Sequence, residues 1–552
     1  MIGYNPKHEN TLAPLGERVA RQCRVRACHR LFSRPHSGGD ARVHAHAFYR
    51  CFEALGLTLC AILVTAVTVA ARDYPPDVPQ PKPAVLPAPA VKTLPNGLQV
   101  VVIERHSLPV VTLRLVVKAG GEADPPEFPG TAELVAGLLD EGTTHRTAQQ
   151  IAAAIDQVGG TMDTGAEWDD SWGQVSLLVD HTALGFDLLA DIIIHPTFAP
   201  AEVARIRQQA LSSLEVMLED PAYLADSAFT RLEFAGTPYG HPVDGTLGSV
   251  RRVTPEDLRQ FHTRTYFPAN AILAVVGDIQ ADEAFREAEK FFGDWSNPAK
   301  DGGAEKPSAP GGSPHFDPAG DAQAPGANPT AREIVVIDKP DAVQTEIRVG
   351  NLGVPRSSPD YYALTVANQI LGGPATNRLF KALRSQRGLT YGASSDLVCL
   401  RSTGTWRAKT STRTPETVKS VELVLDQMKR LRDHQISGWE LEATEGYLTG
   451  HMALEFETSG GIAEHVLDLM IHNLPLDYWN KFPEHIRSLT TQEVWNATRQ
   501  HLDPDRALIV LVGNLSGFEK DLKKLGDVRV IPVSRVDLGS DNLEQPSADA
   551  KP

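Results

Sequence analysis

An internal repeat dominates the sequence. A segment that begins TPEDLR ends in the apolar run AILAVVGD, and a later segment that begins TQEVW ends in ALIVLVGN. Each combines a capped helix, a turn with Pro and a buried strand, and the strand ends, Gly277 and Gly513, stand 236 positions apart. A match of this order and length predicts two homologous domains, at residues 94–298 and 331–535.

Within each predicted domain, β-branched strands alternate with amphipathic helices. The first domain opens with PNGLQVVV, a turn followed by a strand, and LPVVTLRLVVK predicts a second strand. Helices are predicted over 131–139, 147–158, 182–194, 201–218, 222–234 and 254–266, and in the second domain over 359–371, 377–386, 414–434 and 437–454. This content predicts two α+β domains.

Three segments lack the periodicity of a packed domain. Residues 72–93 are rich in Pro and are interpreted as an extended tether. Residues 299–330 are rich in Gly and Pro and are interpreted as an interdomain linker. Residues 536–552 are interpreted as a polar, disordered tail.

The first 71 residues differ in charge from the rest. They contain nine Lys and Arg against four Asp and Glu, and the apolar run ALGLTLCAILVTAVTVAA fills positions 54–71. Val69 and Ala71 place small residues where signal peptidase cuts, so residues 1–71 are interpreted as a signal peptide with an extension ahead of it. This predicts a periplasmic or secreted protein. The alternative is an uncleaved inner-membrane anchor facing the periplasm, because 18 residues can just span a bilayer.

Charge and cysteine content narrow the function further. The chain of 552 residues has a net charge of -16, which argues against nucleic acid as a partner. Four of its five cysteines precede the predicted cleavage site. Only Cys399 would remain in the mature chain, which excludes an internal disulfide.

Several separate stretches resemble the M16 family of metallopeptidases, which includes pitrilysin, insulysin and mitochondrial processing peptidase. They are PNGLQVVV, DEGTTHRTAQQIAAAIDQVGG, LLADIIIHPTF, EDPAYLADSAFTRLEFAGTPYGHPVDGT, FPANAILAVVGD and FKALRSQRGLTYGASS. The resemblance covers nearly all of residues 94–535 and points to the bacterial two-domain members. It implies two α+β domains, each an antiparallel sheet with helices packed on one face, which face each other as a clamshell around a substrate chamber.

The zinc motif is where the sequence departs from the family. Members carry His-x-x-Glu-His on the first helix, where the two His bind zinc and the Glu acts as general base. Aligned on GTAELVAGLLDEGT, the first His position holds Glu133, the Glu position Ala136 and the second His position Gly137. Ala and Gly can supply neither a ligand nor a base.

The third zinc ligand of the family is a Glu on a later helix. Its position falls on Ser212 and Ser213, with Glu215 nearby but offset. At best two carboxylates remain and no His, and zinc prefers His nitrogen in such a site. We therefore expect this chain to bind no zinc and no other cofactor.

A second family feature is kept. Members carry an Arg and a Tyr seven residues apart in the second domain, where they hold the substrate backbone and steady the oxyanion. Arg384 and Tyr391, in LRSQRGLTY, match this pair in type and spacing. A guanidinium can grip a peptide carbonyl, and a phenol can donate to a developing negative charge. Without the resemblance, the simpler interpretation is a surface Arg and a half-buried strand Tyr.

The remaining candidates are weighed against structural roles. Four His are scattered along the first domain: His145, His181, His195 and His241. His195 and His241 each precede Pro at loop positions that match the family, so these two are expected to be structural. A carboxylate metal site would use Glu133, Asp140 and Glu141, although the last two precede a Gly-Thr turn that favours solvation. The stretch EWDDSW is a candidate for substrate contact through Trp168, Asp169, Asp170 and Trp172. Gly372, Gly373 and Pro374 resemble the family's bend before the Arg/Tyr helix and are not a phosphate loop, because no Lys-Ser/Thr follows.

Some M16 peptidases divide the work between two subunits, one with the zinc motif and one with the Arg/Tyr pair. This chain resembles the second kind. The resemblance predicts the non-zinc subunit of a heteromeric periplasmic zinc metallopeptidase that hydrolyses extended peptides, with His-x-x-Glu-His and zinc in the partner. Two alternatives stay open: a non-catalytic peptide-binding or scaffold protein, and a stand-alone metalloendopeptidase with a non-standard metal site.

Overall fold

The first domain is built from six strands and eight helices. The computed structural model describes residues 85–296, 330–374 and 377–545. The strands are β1 (Ala90–Thr93), β2 (Gln99–Glu104), β3 (Val110–Val117), β4 (Thr161–Ala166), β5 (Ser171–Leu178) and β6 (Ala271–Gly277). The helices are α1 (Thr131–Ala136), α2 (Ala148–Asp156), α3 (Thr182–Ile194), α4 (Pro200–Glu219), α5 (Pro221–Glu233), α6 (Leu247–Arg252), α7 (Pro255–Thr265) and α8 (Ala281–Phe292).

The second domain repeats this content. Its strands are β7 (Glu333–Asp338), β8 (Gln344–Leu352), β9 (Ala393–Cys399), β10 (Gly404–Arg413), β11 (Leu508–Gly513) and β12 (Val528–Pro532). Its helices are α9 (Tyr361–Gly372), α10 (Arg378–Phe380), α11 (Thr417–Asp433), α12 (Gly438–Glu455), α13 (Ser459–Ile471), α14 (Tyr478–Ser488), α15 (Thr491–His501) and α16 (Glu519–Leu522). The short α10 continues into a π-helical turn over Lys381–Ser385.

Each sheet is mixed, which corrects the antiparallel sheets expected from the resemblance. The strand orders are β1-β2-β6-β3-β5-β4 and β12-β7-β11-β8-β10-β9. The pairs β2/β6, β7/β11 and β7/β12 are parallel, and the other neighbours are antiparallel. A parallel pair needs a long connection, and residues 105–270, which include β3, β4, β5 and seven helices, join β2 to β6 in the first domain.

The two sheets confirm the repeat found in the sequence. The strands that end in Gly277 and Gly513, β6 and β11, occupy the same position in their sheets. Each follows a helix that begins with a capping box, formed by Thr254 with Asp257 in one domain and by Thr490 with Glu493 in the other. Only the outer edge strand differs, because β1 comes from the start of the first domain and β12 from the end of the second.

Alternate residues of the first sheet pack in two different cores. Val100 and Val102 of β2 pack with helices of their own domain. Val101 and Ile103 point to the opposite face, where they share a core with Val466 of α13 from the second domain. Helix α13 lies on β6 and β3, so this face of the first sheet is covered by the second domain.

The second sheet is covered in the reciprocal way. Val335 and Ile337 of β7 pack with Leu224 and Phe229 of α5, a helix of the first domain that lies on β11 and β8. Both sheets therefore have helices on two faces, whereas the resemblance predicted helices on one. Where α5 and α13 lie, the two domains are packed against each other.

Two segments predicted to be unstructured take part in the fold. In the predicted tether, Leu86 is 2% exposed: its N–H donates to the Asn480 side-chain Oδ1 at 2.8 Å, and its carbonyl accepts from Asn480 Nδ2 at 3.0 Å. Residues 90–93 form β1. In the predicted tail, Leu538 and Leu543 are buried against the second sheet. Both segments are held by a few apolar contacts, which are too few to produce a periodic pattern in the sequence.

Outside the described residues lie the predicted signal segment at 1–71, residues 299–329 of the predicted linker, and Ala375 with Thr376. Among the residues that are described, no helix is long and apolar enough to cross a bilayer.

Candidate functional site

A buried carboxylate holds the start of α1, the helix that corresponds to the family's zinc helix. Asp124 accepts hydrogen bonds from the backbone N–H of Gly130 at 2.6 Å and of Ala132 at 2.7 Å. Burial raises the pKa of Asp124 well above its usual range, although these N–H groups oppose the shift. Gly130 has a φ of 90°, and a Cβ there would lie 2.8 Å from the Cα of Gly245. Sequence reasoning missed Asp124, which stands too far from the helix to be recognised as a cap.

The three positions of the degenerate zinc motif do not fit a zinc site. Glu133 is half-buried and its carboxylate accepts a hydrogen bond from Ala166 N–H at 3.1 Å. Burial raises the pKa of Glu133, and that hydrogen bond opposes the rise. Ala136 is 0% exposed in the core, and Gly137 ends the helix. Two of the three positions thus have no side-chain donor atom.

The predicted third-ligand positions lie on the outside of α4. Ser212, Ser213 and Glu215 are exposed, and Glu215 pairs with Arg251 at 3.4 Å. Within residues 85–296, 330–374 and 377–545, no three His, Cys, Asp or Glu side chains are grouped so that they could hold a metal ion. The residues present at these positions therefore do not fit the zinc that the family motif implies.

Most of the other acidic and His candidates have structural partners. Glu141 pairs with Arg205, and Asp140 beside it is half-buried. The Nδ1 of His145 lies 2.7 Å from the Asp191 carboxylate. The ring of His195 meets the ring of His145 edge-on. The two ring nitrogens of His241 face the backbone carbonyls of Gly121 and Pro242. His181 ends a short 3-10 turn.

The stretch EWDDSW lies at the join between the two domains. Asp169 is 5% exposed and accepts hydrogen bonds from the Tyr239 hydroxyl at 2.6 Å and the Arg401 N–H at 2.8 Å. Trp168 packs against Tyr239, and Trp172 lies under the Arg114 guanidinium at 4.2 Å. The expected substrate-contact role does not suit Asp169, because its oxygens are already engaged between the domains.

A salt-bridge network extends from Asp169 into the second domain. The Nε2 of His472, at the end of α13, lies 3.8 Å from Asp169, and its Nδ1 lies 3.0 Å from Asp468. Burial lowers the pKa of His472, but these two carboxylates outweigh it and raise the pKa to about 9. Asp170, next in the chain, has its pKa raised to about 7 by burial, against the attraction of Arg114. Sequence reasoning did not find this network.

The structure brings Arg384 and Tyr391 together. The Nη1 of Arg384 donates to the Tyr391 carbonyl at 2.6 Å. Its guanidinium lies 4.5 Å from the centre of the Tyr391 ring and 5.0 Å from that of Phe380. The Tyr391 side chain is 85% exposed, so the interpretation as a half-buried strand residue is wrong.

The turn between these residues explains why they meet. The π-helical turn at Lys381–Ser385 widens the end of the helix, and Gly388 then adopts a φ of 60°. The Gly388 N–H donates to the Arg384 carbonyl at 2.9 Å, which turns the chain back toward β9. Arg384 and Tyr391, seven residues apart in the sequence, are therefore in side-chain contact.

The predicted Gly-rich bend has a steric cause. A Cβ on Gly372 would lie 2.1 Å from the backbone N of Ser395 in β9. The end of α9 therefore touches the strand directly, which only Gly allows. This contact fixes the position of β9, and of the Arg/Tyr segment that precedes it, relative to α9.

Two family profiles match the chain. Residues 99–246 match the profile described as Insulinase (Peptidase family M16), and residues 252–445 match the one described as Peptidase M16 inactive domain. Together they span more than half of the chain, which belongs to peptidase family M16. The boundary between the profiles precedes β6, so it does not coincide with the boundary between the two sheets.

Individual relatives agree with this assignment. An uncharacterized zinc protease of Mycobacterium leprae is 27% identical over 66% of this chain and 79% of that protein. An uncharacterized zinc protease of Bacillus subtilis is 22% identical over 66% of this chain and 84% of that protein. The crystal structure of a peptidase M16 inactive domain from Pseudomonas fluorescens superposes with a TM-score of 0.68 at 26% identity, over 80% of this chain and 99% of that one. A protease from Helicobacter pylori shares the fold, with a TM-score of 0.69 at 18% identity over 77% of this chain and all of that one.

Proposed function

We propose that this chain is the non-zinc subunit of a heteromeric periplasmic M16 metallopeptidase and that it supplies Arg384 and Tyr391 to its partner's active site. The observation that carries the proposal is the contact between these two side chains at the surface. The same chain has Glu133, Ala136 and Gly137 at its zinc-motif positions. The exposed pair supports a role in the Arg/Tyr half of an M16 site, and the residues at the zinc-motif positions do not suit the other half.

The free donors of the pair suit a peptide backbone. Arg384 uses Nη1 for the Tyr391 carbonyl, and in the described part of the chain its Nε and Nη2 make no hydrogen bond. The Tyr391 hydroxyl likewise has no hydrogen-bond partner among the described residues, and its ring is exposed. A planar guanidinium held between two rings loses little freedom when it binds a carbonyl. The phenol can donate to an oxyanion.

The partner would supply the metal, the water and the base through its own His-x-x-Glu-His helix. The compartment is proposed from the sequence, since the apolar run at 54–71 and its cleavage site are typical of export. Extended peptides are the proposed substrates, because Arg384 and Tyr391 offer donors for backbone groups rather than a pocket for one side chain.

The test is hydrolysis of a quenched fluorescent peptide by this chain, by a zinc-bearing M16 chain from the same organism, and by their mixture. We expect activity in the mixture only. Arg384→Ala and Tyr391→Phe should each lower kcat/KM of the mixture at least tenfold while size-exclusion chromatography shows unchanged assembly.

The matched control is Arg499→Ala. Arg499 is also an exposed Arg stacked on a ring, at 4.9 Å from Trp495, but on another helix. It should leave kcat/KM unchanged. Full activity of both the Arg384 and the Tyr391 variants would refute the proposed role.

Zinc analysis of residues 72–552 separates this proposal from the stand-alone alternative. Near-zero zinc after dialysis is expected, because two of the three motif positions have no donor atom. About one zinc per chain, with peptidase activity in the absence of a partner, would support the stand-alone enzyme instead.

A further inference from the structure

Three cations within the ten residues before Tyr391 form no ion pair among the described residues. Lys381, Arg384 and Arg387 follow each other at intervals of three residues, and all three are exposed. Within the described residues none of them has a carboxylate within 4.0 Å, the limit for an ion pair. Arg378, one turn earlier, shows the contrast, because Glu440 neutralises it at 2.8 Å.

Aromatic rings support two of these cations. The Lys381 ammonium lies 5.6 Å from the Trp439 ring, which belongs to a side chain that is 66% exposed. The Arg384 guanidinium lies between Phe380 and Tyr391. An exposed ring beside an unpaired cation provides apolar area and positive charge together. We name Lys381 and Arg387, with Trp439 beside Lys381, the cationic row; Arg384 is kept apart from it because it belongs to the proposed backbone-binding pair.

The charge of the row is opposite to that of the protein as a whole. The chain carries a net charge of -16, so a patch of positive charge is a local exception. Arg387 is fixed by hydrogen bonds from its Nη1 to the Ala382 carbonyl at 3.0 Å and the Gln386 side chain at 3.1 Å, neither of which removes its charge.

We infer that the cationic row binds acidic side chains of the extended peptide whose backbone Arg384 and Tyr391 hold, so that the substrates are acidic peptides. This inference rests on the proposed function for the position of the backbone. An extended peptide places alternate side chains about 7 Å apart on one face, which lets successive acidic residues meet neighbouring cations. The row would then select among peptides, whereas Arg384 and Tyr391 would act on any of them.

The binding experiment uses this chain alone, so it does not depend on a zinc-bearing partner. The probes are fluorescein-labelled peptides made of repeats of Ser-Glu-Thr-Glu, Ser-Gln-Thr-Gln or Ser-Lys-Thr-Lys, which place the tested side chains at alternate positions, and binding is followed by fluorescence anisotropy. We expect the Glu peptide to bind about tenfold more tightly than the Gln peptide at low salt, and the Lys peptide to bind most weakly.

The decisive variant is the double change Lys381→Glu and Arg387→Glu, which leaves Arg384 and Tyr391 intact. It should remove the preference for the Glu peptide and leave binding of the Gln peptide unchanged. Lys520→Glu with Lys523→Glu is the control, because these two Lys are exposed on another helix and should not alter the preference.

The outcomes distinguish the two proposals. Equal binding of the Glu and Gln peptides would overturn the acidic-substrate inference, even if Arg384→Ala still lowered activity of the mixture. A preference for Glu that the double variant abolishes would support the row, even if Arg384→Ala had no effect on activity. If the double variant instead prevented assembly with the partner and left peptide preference unchanged, the row would be a subunit contact and the inference would be wrong.

Discussion

Replacing Asp169 by Asn should loosen the join between the two domains. The change keeps the shape of the side chain and removes its charge. Asp169 receives the Tyr239 hydroxyl at 2.6 Å and the Arg401 N–H at 2.8 Å, and faces His472 at 3.8 Å. Because one of these partners belongs to the first domain and two to the second, the loss falls on the contact between domains.

The expected magnitude follows from these contacts. A hydrogen bond to a charged group is worth about twice a neutral one, so Asn should weaken the bonds from Tyr239 and Arg401 by about 1 kcal/mol each. The rise of the His472 pKa from 6.5 to about 9 corresponds to about 3 kcal/mol, which Asp169 shares with Asp468. The total loss of unfolding free energy is therefore about 3 kcal/mol near pH 7.

The pH dependence provides a second readout. His472 has a raised pKa, so its stabilising contribution is complete below about pH 6.5 and is lost as the pH rises through about 9. Asp169→Asn removes one of the two carboxylates that raise this pKa. The stability of the variant should therefore fall less steeply than that of the natural chain between pH 6.5 and 9.

The assay is chemical unfolding followed by fluorescence at several pH values. Asp170→Asn is the matched control: burial has raised the pKa of Asp170 to about 7, so removing its charge should be neutral or stabilising at pH 8. The reasoning is refuted if Asp169→Asn costs less than about 1 kcal/mol, or if the two neighbouring substitutions have the same effect.

Three further changes test other parts of the fold. Phe229→Ala should cost about 3–5 kcal/mol by chemical unfolding, because Phe229 is 0% exposed under the second sheet; a loss below about 1 kcal/mol would contradict the packing of α5. Truncation after Arg535 should cost about 3 kcal/mol through loss of Leu538 and Leu543, whereas a truly disordered tail would give no change in unfolding. Gly372→Ala should cost about 1–3 kcal/mol and lower the activity of the mixed complex, since its Cβ would meet Ser395 N at 2.1 Å; an unchanged melting curve would show that β9 can shift freely.

Much of the secondary structure could be predicted from local pattern. The helix over 182–194 has the predicted bounds, and Thr147, at the start of the helix predicted over 147–158, forms a capping box with Gln150. The repeat correctly placed β6 and β11 in equivalent positions. The helices α13 and α14 were not predicted from the sequence. These signals depend on residues close in sequence, which is why a single sequence contains them.

The packing partner of a helix could not be predicted in the same way. The apolar stripe of α5, with Leu224 and Phe229, indicates that one face is buried but not which sheet buries it. The simplest expectation is that α5 packs on the sheet of its own domain, but the structure places α5 on the sheet of the second domain. The same limit applies to Leu86, whose partner Asn480 lies 394 positions away.

The candidate site shows both sides of this limit. The type and spacing of Arg384 and Tyr391 predicted a pair, and the structure shows the contact. The role of Asp169 could not be predicted, because its partners Arg401 and His472 come from distant turns. A charged residue in a loop is expected to face solvent, and only the tertiary structure reveals that it is buried.

The exchange of α5 and α13 has a consequence for how this protein could be divided. Cutting the chain between residues 296 and 330 would separate the two domains in sequence, yet each piece would keep a helix that fits the other piece's sheet. Either piece alone would present a large apolar sheet face to water and would tend to aggregate. Produced together, the pieces should associate as an obligate heterodimer, so a gene split at this point would still encode one folded particle.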